Sequence, residues 1–237
     1  MTKYERVMAV IEGKSPDRTP VSFWWHYPEI DHNPEQLAEA IVEDHYEYEL
    51  DFIKMMPSGM YGVEDWGCQV GDPDPEGGFK KLLSGPIRSL TDWDKITKRP
   101  AEIGARGREL KCLSIVSGNI GEETPILQTV FTPLTTAAKL AGRDQLLAHI
   151  REDEGAVLPA LEAITETEEE FIIACLEHGA TGVFLATQFA GDKLLTREEH
   201  ERWCEPFEKR LLALIMERSD FSIMHLHGGS IFLDRFE

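Results

Sequence analysis

Hydrophobic residues recur along this chain with two spacings, one typical of buried strands and one typical of amphipathic helices. Short apolar runs predict strands at residues 21–26, 51–57, 125–133, 181–188 and 222–228. Helical spacing predicts helices at residues 3–12, 34–50, 101–118 and 196–218, and a long helical region from 134 to 179. Five strands that alternate with helices predict an α/β fold with a parallel sheet covered by helices.

Residues 58–100 do not follow either spacing. This stretch is rich in Gly, Pro and Asp and is too long for a plain connection between two elements. We therefore expect an excursion over the surface that carries functional residues.

The ends of the predicted strands decide between two parallel architectures. The first strand lacks the G-x-G-x-x-G turn of nucleotide-binding open sheets, whereas a (β/α)8 barrel places its site at the carboxyl ends of strands. Polar, aromatic or sulfur-containing side chains do gather at those ends, which favours the barrel. The predicted substrate-binding residues are Trp25, His26, Lys54, Met56, Thr132 and Gln188. Of the adjacent Trp24 and Trp25, only one can face inward, because strand neighbours point to opposite faces.

Composition narrows the classes of partner. The chain has 237 residues, is 42% hydrophobic and carries a formal net charge of −19, which argues against nucleic-acid binding and favours small molecules or proteins. No stretch is long and apolar enough for a membrane span, and the N-terminus lacks the features of a signal peptide. The four cysteines form no C-x-x-C pair, so we expect a reducing, cytoplasmic setting.

The last predicted strand contains a candidate metal site. His225 and His227 are two residues apart, so in a strand their side chains share one face, and Gly228 and Gly229 follow directly. Two imidazoles on one face can bind one metal ion; the alternative is a pair of hydrogen-bonded structural histidines. A second candidate, the carboxylate pair Glu64 and Asp65 in "GVEDWG", could serve as a catalytic acid and base.

Five segments, in order, resemble the uroporphyrinogen decarboxylase superfamily, which includes zinc-dependent, corrinoid-linked methyltransferases. They are "RVMAVIEGKSPDRTPVSFW", "DFIKMMPSGMYGVEDWG", "VFTPLTTAAKLAG", "EHGATGVFLATQ" and "HLHGG". The last resembles the methyltransferases' His-x-Cys-Gly zinc motif, so the resemblance implies zinc at His225 and His227. It also implies a TIM-type barrel, and a corrinoid on a partner protein.

The chain departs from the family pattern in three places. "WWHYPEIDH" stands where the decarboxylases have an Arg-x-x-Gly-Arg segment, which argues against an octa-acid porphyrinogen. His227 occupies the position of the usual metal cysteine. A family barrel also continues through about three more βα units, as expected from its eightfold repeat. We therefore expect residues 1–237 to form a single, incomplete barrel domain of about five βα units.

Three functions are compatible with these features. The first is zinc-assisted methyl transfer with a corrinoid methyl carrier, and the second is decarboxylation of uroporphyrinogen in porphyrin biosynthesis. The third is a non-catalytic binding subunit that a partner completes. Because an open barrel exposes an unpaired strand edge, association with another chain, including a second copy of this one, is compatible with each.

Overall fold

A four-stranded parallel sheet forms the centre of the fold. The structure is a computed structural model that describes residues 1–73 and 80–236. The strands lie in the order β1-β4-β5-β6, and each neighbouring pair is parallel. Their bounds are Ile53–Lys54 (β1), Ile126–Phe131 (β4), Gly182–Thr187 (β5) and Ile223–Leu226 (β6). Strands β2 (Gln69–Pro73) and β3 (Lys80–Ser84) form a separate antiparallel hairpin.

Helices cover this sheet much as the hydrophobic spacing predicts. Their bounds in the described residues are Lys3–Ile11 (α1), Pro34–Tyr48 (α2), Tyr61–Glu64 (α3), Gly104–Ile120 (α4), Pro133–Ala141 (α5), Arg143–Glu152 (α6), Glu154–Glu177 (α7), Arg197–Trp203 (α8) and Glu205–Arg218 (α9). No described helix has the length and apolar content needed to cross a bilayer.

Three of the four strands of the sheet, β1, β4 and β5, are buried on both faces. Val183 and Leu185 of β5 point outward into the main core, where side chains of α2, α4, α7 and α9 pack. Phe184 and Ala186 point to the inner face, where they meet Val7 of α1. Burial of both faces explains why the parallel strands read as continuous apolar runs rather than as alternating ones.

The strand predicted at residues 21–26 was wrong. This segment is not hydrogen-bonded into the sheet as a strand; it is held at its start, where the backbone N–H of Val21 donates to the Asp51 carboxylate and the Ser22 hydroxyl donates to the Phe52 carbonyl. Phe23, Trp24 and Trp25 are each about 40% exposed. Aromatic residues favour strands only where a pleated, half-buried surface is available, and side-chain anchoring takes precedence here.

Residues 58–100 were wrongly predicted as a surface excursion; residues 74–79 of this stretch lie outside the described residues. The remainder contains α3, the hairpin and a 3-10 helix at Leu90–Lys95. Trp66 and Trp93 belong to a second buried core together with side chains of α5, α6 and α7. Gly and Pro mark the turns between these short elements, so a segment dense in both can still be buried.

The helix predicted at residues 196–218 is divided at Cys204 into α8 and α9. Pro206 at the start of α9 explains the break, because proline has no backbone N–H and its ring clashes with the preceding turn. The capping box expected from the spacing of Thr196 and Glu199 is confirmed: each side chain accepts a hydrogen bond from the other residue's backbone N–H.

Removal of this cap has a predictable cost. We expect Thr196→Ala to lower the free energy of unfolding by about 1 kcal/mol, because the N–H of Glu199 loses its acceptor. Urea denaturation at pH 7 measures the change. Thr97→Ala is a matched control, since Thr97 is an exposed threonine outside any helix. Equal stability of the two variants would contradict the assigned role of the cap.

Candidate active site

A cavity of about 460 Å³ opens at the carboxyl edge of the parallel sheet. Every strand of this sheet contributes at least two wall residues at positions separated by two, which is the spacing that places side chains on one face. The wall residues at or just after the strand ends are Lys54, Met56, Thr129, Phe131, Ala186, Gln188, His225 and His227. Phe131, Ala186 and His225 lie side by side in register across three strands. This wall of the cavity is therefore formed by side chains that share one face of the sheet because they alternate along each strand.

The two histidines of β6 lie together on this wall. Their ring centroids are 5.8 Å apart, and the His225 ring stacks on Phe184 at 5.5 Å. The backbone N–H of His227 donates to the carbonyl of Thr187 at 3.0 Å, which ties the end of β6 to β5. Burial, then the neighbouring His227 and Lys54, lower the pKa of His225. His225 is therefore neutral at pH 7, which is the form that binds metal ions.

These histidines provide two donors for a metal ion, and the described residues do not complete the set. No group of three His, Cys, Asp or Glu side chains suited to a metal occurs within residues 1–73 and 80–236. A catalytic zinc usually has three protein ligands and one open position. The donors present thus fit part of a zinc site.

Lys54 is a buried lysine on the cavity wall whose ammonium has no ion-pair partner among the described residues. Lys54 is only 9% exposed, and its Nζ atom lies 2.7 Å from the sulfur of Met56. The same atom lies 5.1 Å from the ring centre of Trp24 and 4.5 Å from that of Phe184. Burial lowers the pKa of Lys54 to about 8. Around pH 7 it still carries a positive charge.

Other basic groups face the same space. Lys139 of α5 donates to the carbonyl of Gly59 at 2.6 Å, and burial lowers its pKa well below the usual range. Lys80 forms an ion pair with Asp31. His26 also lines the cavity. Burial and the nearby Lys54 lower the pKa of His26, and the carboxylate of Asp31 raises it by a smaller amount. The chamber is thus locally basic in a chain whose net charge is −19.

The structure brings together five of the predicted substrate- and metal-binding residues, and His26 joins them from the segment before α2. The five on strand ends are Lys54, Met56, Gln188, His225 and His227. Trp24, rather than Trp25, faces the cavity and meets the Phe184 ring edge-on at 5.5 Å. Trp25 packs on the other side, stacked with Phe23 at 5.6 Å.

Thr132 is fully buried behind the wall. Its hydroxyl is 3.0 Å from that of Thr135, which in turn accepts the backbone N–H of Gln188 at 3.0 Å. Thr132 thus lies at the start of α5 and supports the wall through Thr135, and it is not among the described residues that line the cavity. This placement favours a positioning role over direct contact with substrate.

Glu64 ends α3 and Asp65 follows it; their side chains contact the N-terminal part of α4, and neither is among the described lining residues. Glu64 accepts two hydrogen bonds of 3.0 Å from the Arg108 guanidinium. Asp65 accepts the backbone N–H of Ala105 at 2.8 Å and that of Arg106 at 3.4 Å, so it caps α4. Both carboxylates are occupied by interactions that fix helix α4 against α3.

Sequence reasoning chose Trp25 where Trp24 lines the cavity, and it missed other wall residues, among them Asp31, Lys80, Lys139 and Phe184. Phe184 could have been found, because it precedes Ala186 and Gln188 at the same two-residue spacing on β5. Lys139 lies on a helix, and Asp31 and Lys80 come from separate parts of the chain. No local pattern predicts that such residues meet.

Comparisons with known proteins agree with this architecture. The chain is 22% identical over 251 residues to the methylcobamide:CoM methyltransferase MtbA of Methanosarcina mazei, with 97% of this chain and 72% of that protein aligned. It is 20% identical over 207 residues to MtbA of Methanosarcina acetivorans, with 86% of this chain aligned. It spans only 60% of that second relative's length.

A solved structure of a methyltransferase from Methanosarcina mazei superimposes with a TM-score of 0.78 at 19% identity, over 96% of this chain and 70% of that one. The predicted incomplete TIM-type barrel is thereby confirmed. The family model described as uroporphyrinogen decarboxylase (URO-D) matches residues 2–237, nearly the whole chain. The chain therefore belongs to the uroporphyrinogen decarboxylase family.

Proposed function

We propose that this protein transfers a methyl group from a corrinoid, carried by a partner protein, to a small acceptor, with a zinc ion held in part by His225 and His227. One observation carries the proposal: both imidazoles lie on the wall of a cavity at the carboxyl edge of the sheet, where barrel enzymes place their chemistry. The names of the two relatives, both methylcobamide:CoM methyltransferases, support the reaction class.

A zinc ion at this place would lower the pKa of an acceptor thiol or hydroxyl and so make it nucleophilic at neutral pH. His225 suits the role of ligand because its ring is neutral and is oriented by its stacking on Phe184. Two imidazoles in place of an imidazole and a thiolate leave the site more positive. That donor set favours an oxygen acceptor at least as much as a sulfur acceptor.

The protein's own residues supply orientation and a place for the proton. In the transfer, the acceptor's S–H or O–H bond breaks, a bond to carbon forms, and the methyl group leaves the corrinoid without its bonding electrons. His26 is the candidate proton acceptor, because it lines the cavity and its lowered pKa leaves it neutral at pH 7. The apolar walls at Trp24, Met56 and Phe184 limit the access of water.

The cavity favours this reaction over decarboxylation of a porphyrinogen. None of the described residues that line it is an arginine, whereas a substrate with eight carboxylates is recognised best by bidentate guanidinium groups. The volume of about 460 Å³ is also in the range of a small-molecule site.

Metal analysis of the wild-type protein tests the proposal. We expect near-stoichiometric zinc by inductively coupled plasma mass spectrometry after purification without chelators, and zinc-dependent demethylation of methylcobalamin in the presence of thiol or alcohol acceptors. Removal of zinc by a chelator should abolish the demethylation, and readdition should restore it. Absence of bound metal together with absence of transfer would refute the proposed function.

A further inference from the structure

The chain that follows β6 crosses from the cavity to helices α8 and α9; we call residues 228–236 the strap. The strap pairs with the loop after β5. Gly191 and Ile231 form an antiparallel bridge, and the backbone N–H of Phe232 donates to the carbonyl of Ala190 at 2.9 Å. The strap therefore joins the ends of two neighbouring strands, just beyond the cavity-wall residues that these strands carry.

Ion pairs hold the far part of the strap at the start of the two helices. Arg197 pairs with Asp234 at 2.6 Å, and both side chains are exposed. Arg235 pairs with Glu205 at 2.6 Å and with Glu201 at 3.2 Å. An exposed pair such as Arg197–Asp234 contributes little net stability. The docking of the strap therefore depends on its more buried contacts.

His200 of α8 is the centre of those buried contacts. It is fully buried, and its ring centre lies 5.4 Å from that of Phe232 and 5.6 Å from that of Phe236, with both pairs edge-on. Neither ring nitrogen makes a hydrogen bond with the described residues. An oxygen of Glu205 lies 3.5 Å from Nδ1, which is a long electrostatic approach. The imidazole thus packs as a neutral, largely apolar body against the strap.

The carboxylate nearest to His200 is already occupied. One oxygen of Glu205 accepts from Arg235 and the other accepts from Lys209, each at 2.6 Å. A proton on His200 would therefore place a buried positive charge beside a carboxylate that two other cations share. Such a charge is costly to bury, and contacts with aromatic rings compensate only part of the cost.

The charges around His200 set the direction of its response to pH. Burial is the largest effect and lowers the pKa of His200; Arg235 also lowers it, and Glu205 and Glu201 oppose the change. Glu205 stays ionised throughout, because hydrogen bonds from Arg235 and Lys209 lower its pKa to about 2. The stability that neutral His200 gives the docked strap is thus fully present above about pH 6.5, the pKa of an unperturbed histidine. It is lost as the pH falls from there to the lower pKa of the docked state.

We propose that His200 is a pH-sensitive latch: it holds the strap docked while its imidazole is neutral, and the strap is released when the imidazole takes up a proton from solvent. The conformation of Ser230 favours release. Its φ of +56° lies in the left-handed region, which is unfavourable for a residue with a Cβ atom. The docked strap is therefore strained, and undocking relieves the strain.

Release of the strap acts on the cavity from two sides. His227 directly precedes the strap, and Gln188 precedes the loop that pairs with it; both line the cavity. Undocking loosens both wall residues together. The effect on methyl transfer rests on the proposed function, whereas the latch itself does not.

Hydrogen–deuterium exchange, corrected for the intrinsic pH dependence of amide exchange, tests the inference. It is followed by mass spectrometry on the protein as purified and again after treatment with a chelator, so that loss of metal from His225 and His227 does not contribute. We expect the protection of the strap to fall at least about fivefold between about pH 7.5 and about pH 5.5. The protection of the buried strand β5 should stay unchanged in the same samples.

Two substitutions separate titration of His200 from general loosening. His200→Leu introduces an apolar side chain that takes up no proton, so its strap should stay protected at both pH values. His178→Leu is the matched control, because His178 follows α7 and contacts Ser114 rather than the strap. It should show the pH dependence of the wild type. Should His200→Leu fail to fold by circular dichroism, His200→Gln takes its place with the same expectation.

A second buried group of α9 titrates in this pH range and has to be distinguished from His200. Burial raises the pKa of Glu208 to about 7, and this carboxyl group faces the hydroxyls of Thr187 and Thr132. Glu208→Gln should leave the pH dependence of the strap unchanged. Three results would each overturn the latch: protection of the wild-type strap that does not change with pH, an equal fall in the His200 variant, or loss of the pH dependence in Glu208→Gln.

The two proposals can fail separately. A strap that is released through His200 in a protein that binds no zinc and transfers no methyl group would remove the proposed function and leave the latch. Zinc-dependent methyl transfer in a protein whose strap exchanges equally at both pH values would do the opposite.

Discussion

The His225→Ala/His227→Ala variant is expected to lose bound zinc and to slow methyl transfer at least about a thousandfold. The proposed metal supplies several kcal/mol by stabilising charge on the acceptor, and each 1.36 kcal/mol is about a tenfold change in rate. Both side chains are on the exposed face of the edge strand β6, so their loss removes donors without opening the core. Metal content and transfer rate are measured on the same preparations.

His178→Ala is the matched control for this experiment. His178 follows α7 and contacts Ser114, and it is not among the described residues of the cavity. The control should keep its zinc and its rate. Zinc retained by the double variant, or an equal loss of rate in His178→Ala, would show that the two strand histidines are not the metal ligands.

The wall of the cavity was predictable where it follows strand alternation. Lys54 and Met56 were found at the end of one strand, and His225 and His227 at the end of another, because a spacing of two residues places side chains on a common face. Strands β4 and β5 were also predicted from their continuous apolar runs, because a parallel strand that is buried on both faces is apolar along its whole length.

The sequence could not predict which remote groups join this wall. Lys139 reaches it from a helix, and Lys80 pairs with Asp31 across a separation of 49 residues. Such contacts depend on packing between elements and leave no local period. The segment with Trp24 and Trp25 was predicted wrongly for a related reason: its composition is that of a strand, while its position is fixed by Asp51.

The charge balance of the cavity lining differs from that of the chain as a whole. A net charge of −19 repels polyanions over the whole surface, yet the described lining carries Lys54, Lys80 and Lys139 against Asp31. A surface of this net charge disfavours contact with nucleic acids and large polyacids, whereas the cavity lining has a local balance of charge of its own.

Replacement of Asp51 by asparagine is expected to lower the free energy of unfolding by about 3 kcal/mol at pH 7, as for the loss of one partner from a buried ion pair. The Asp51 side chain is fully buried and accepts hydrogen bonds from Arg6 at 2.7 Å and from Arg18 at 2.5 and 2.9 Å. It also accepts the backbone N–H of Val21 at 2.7 Å. Urea denaturation measures the loss.

Asp94→Asn makes the same chemical change at an exposed aspartate and is expected to stay within about 0.5 kcal/mol of the wild type. Val21 begins the segment that leads to Trp24 and His26 on the cavity wall. Asp51→Asn should therefore also weaken the binding of a small-molecule ligand in the cavity, whereas Asp94→Asn should not. A loss of stability shared by both variants would contradict the assigned role of Asp51.

The effect of Asp51→Asn depends on pH in a direction that follows from the carboxyl group. Burial opposes ionisation, but hydrogen bonds from Arg18, Val21 and Arg6 prevail and hold the pKa of Asp51 below its usual range. Its contribution to stability is therefore present above about pH 4, the pKa of an unfolded aspartate, and is lost as pH falls through the folded value. The difference between wild type and Asp51→Asn should narrow below pH 4. A difference that stays constant through this range would mean that shape, rather than charge, at residue 51 anchors the segment over the cavity.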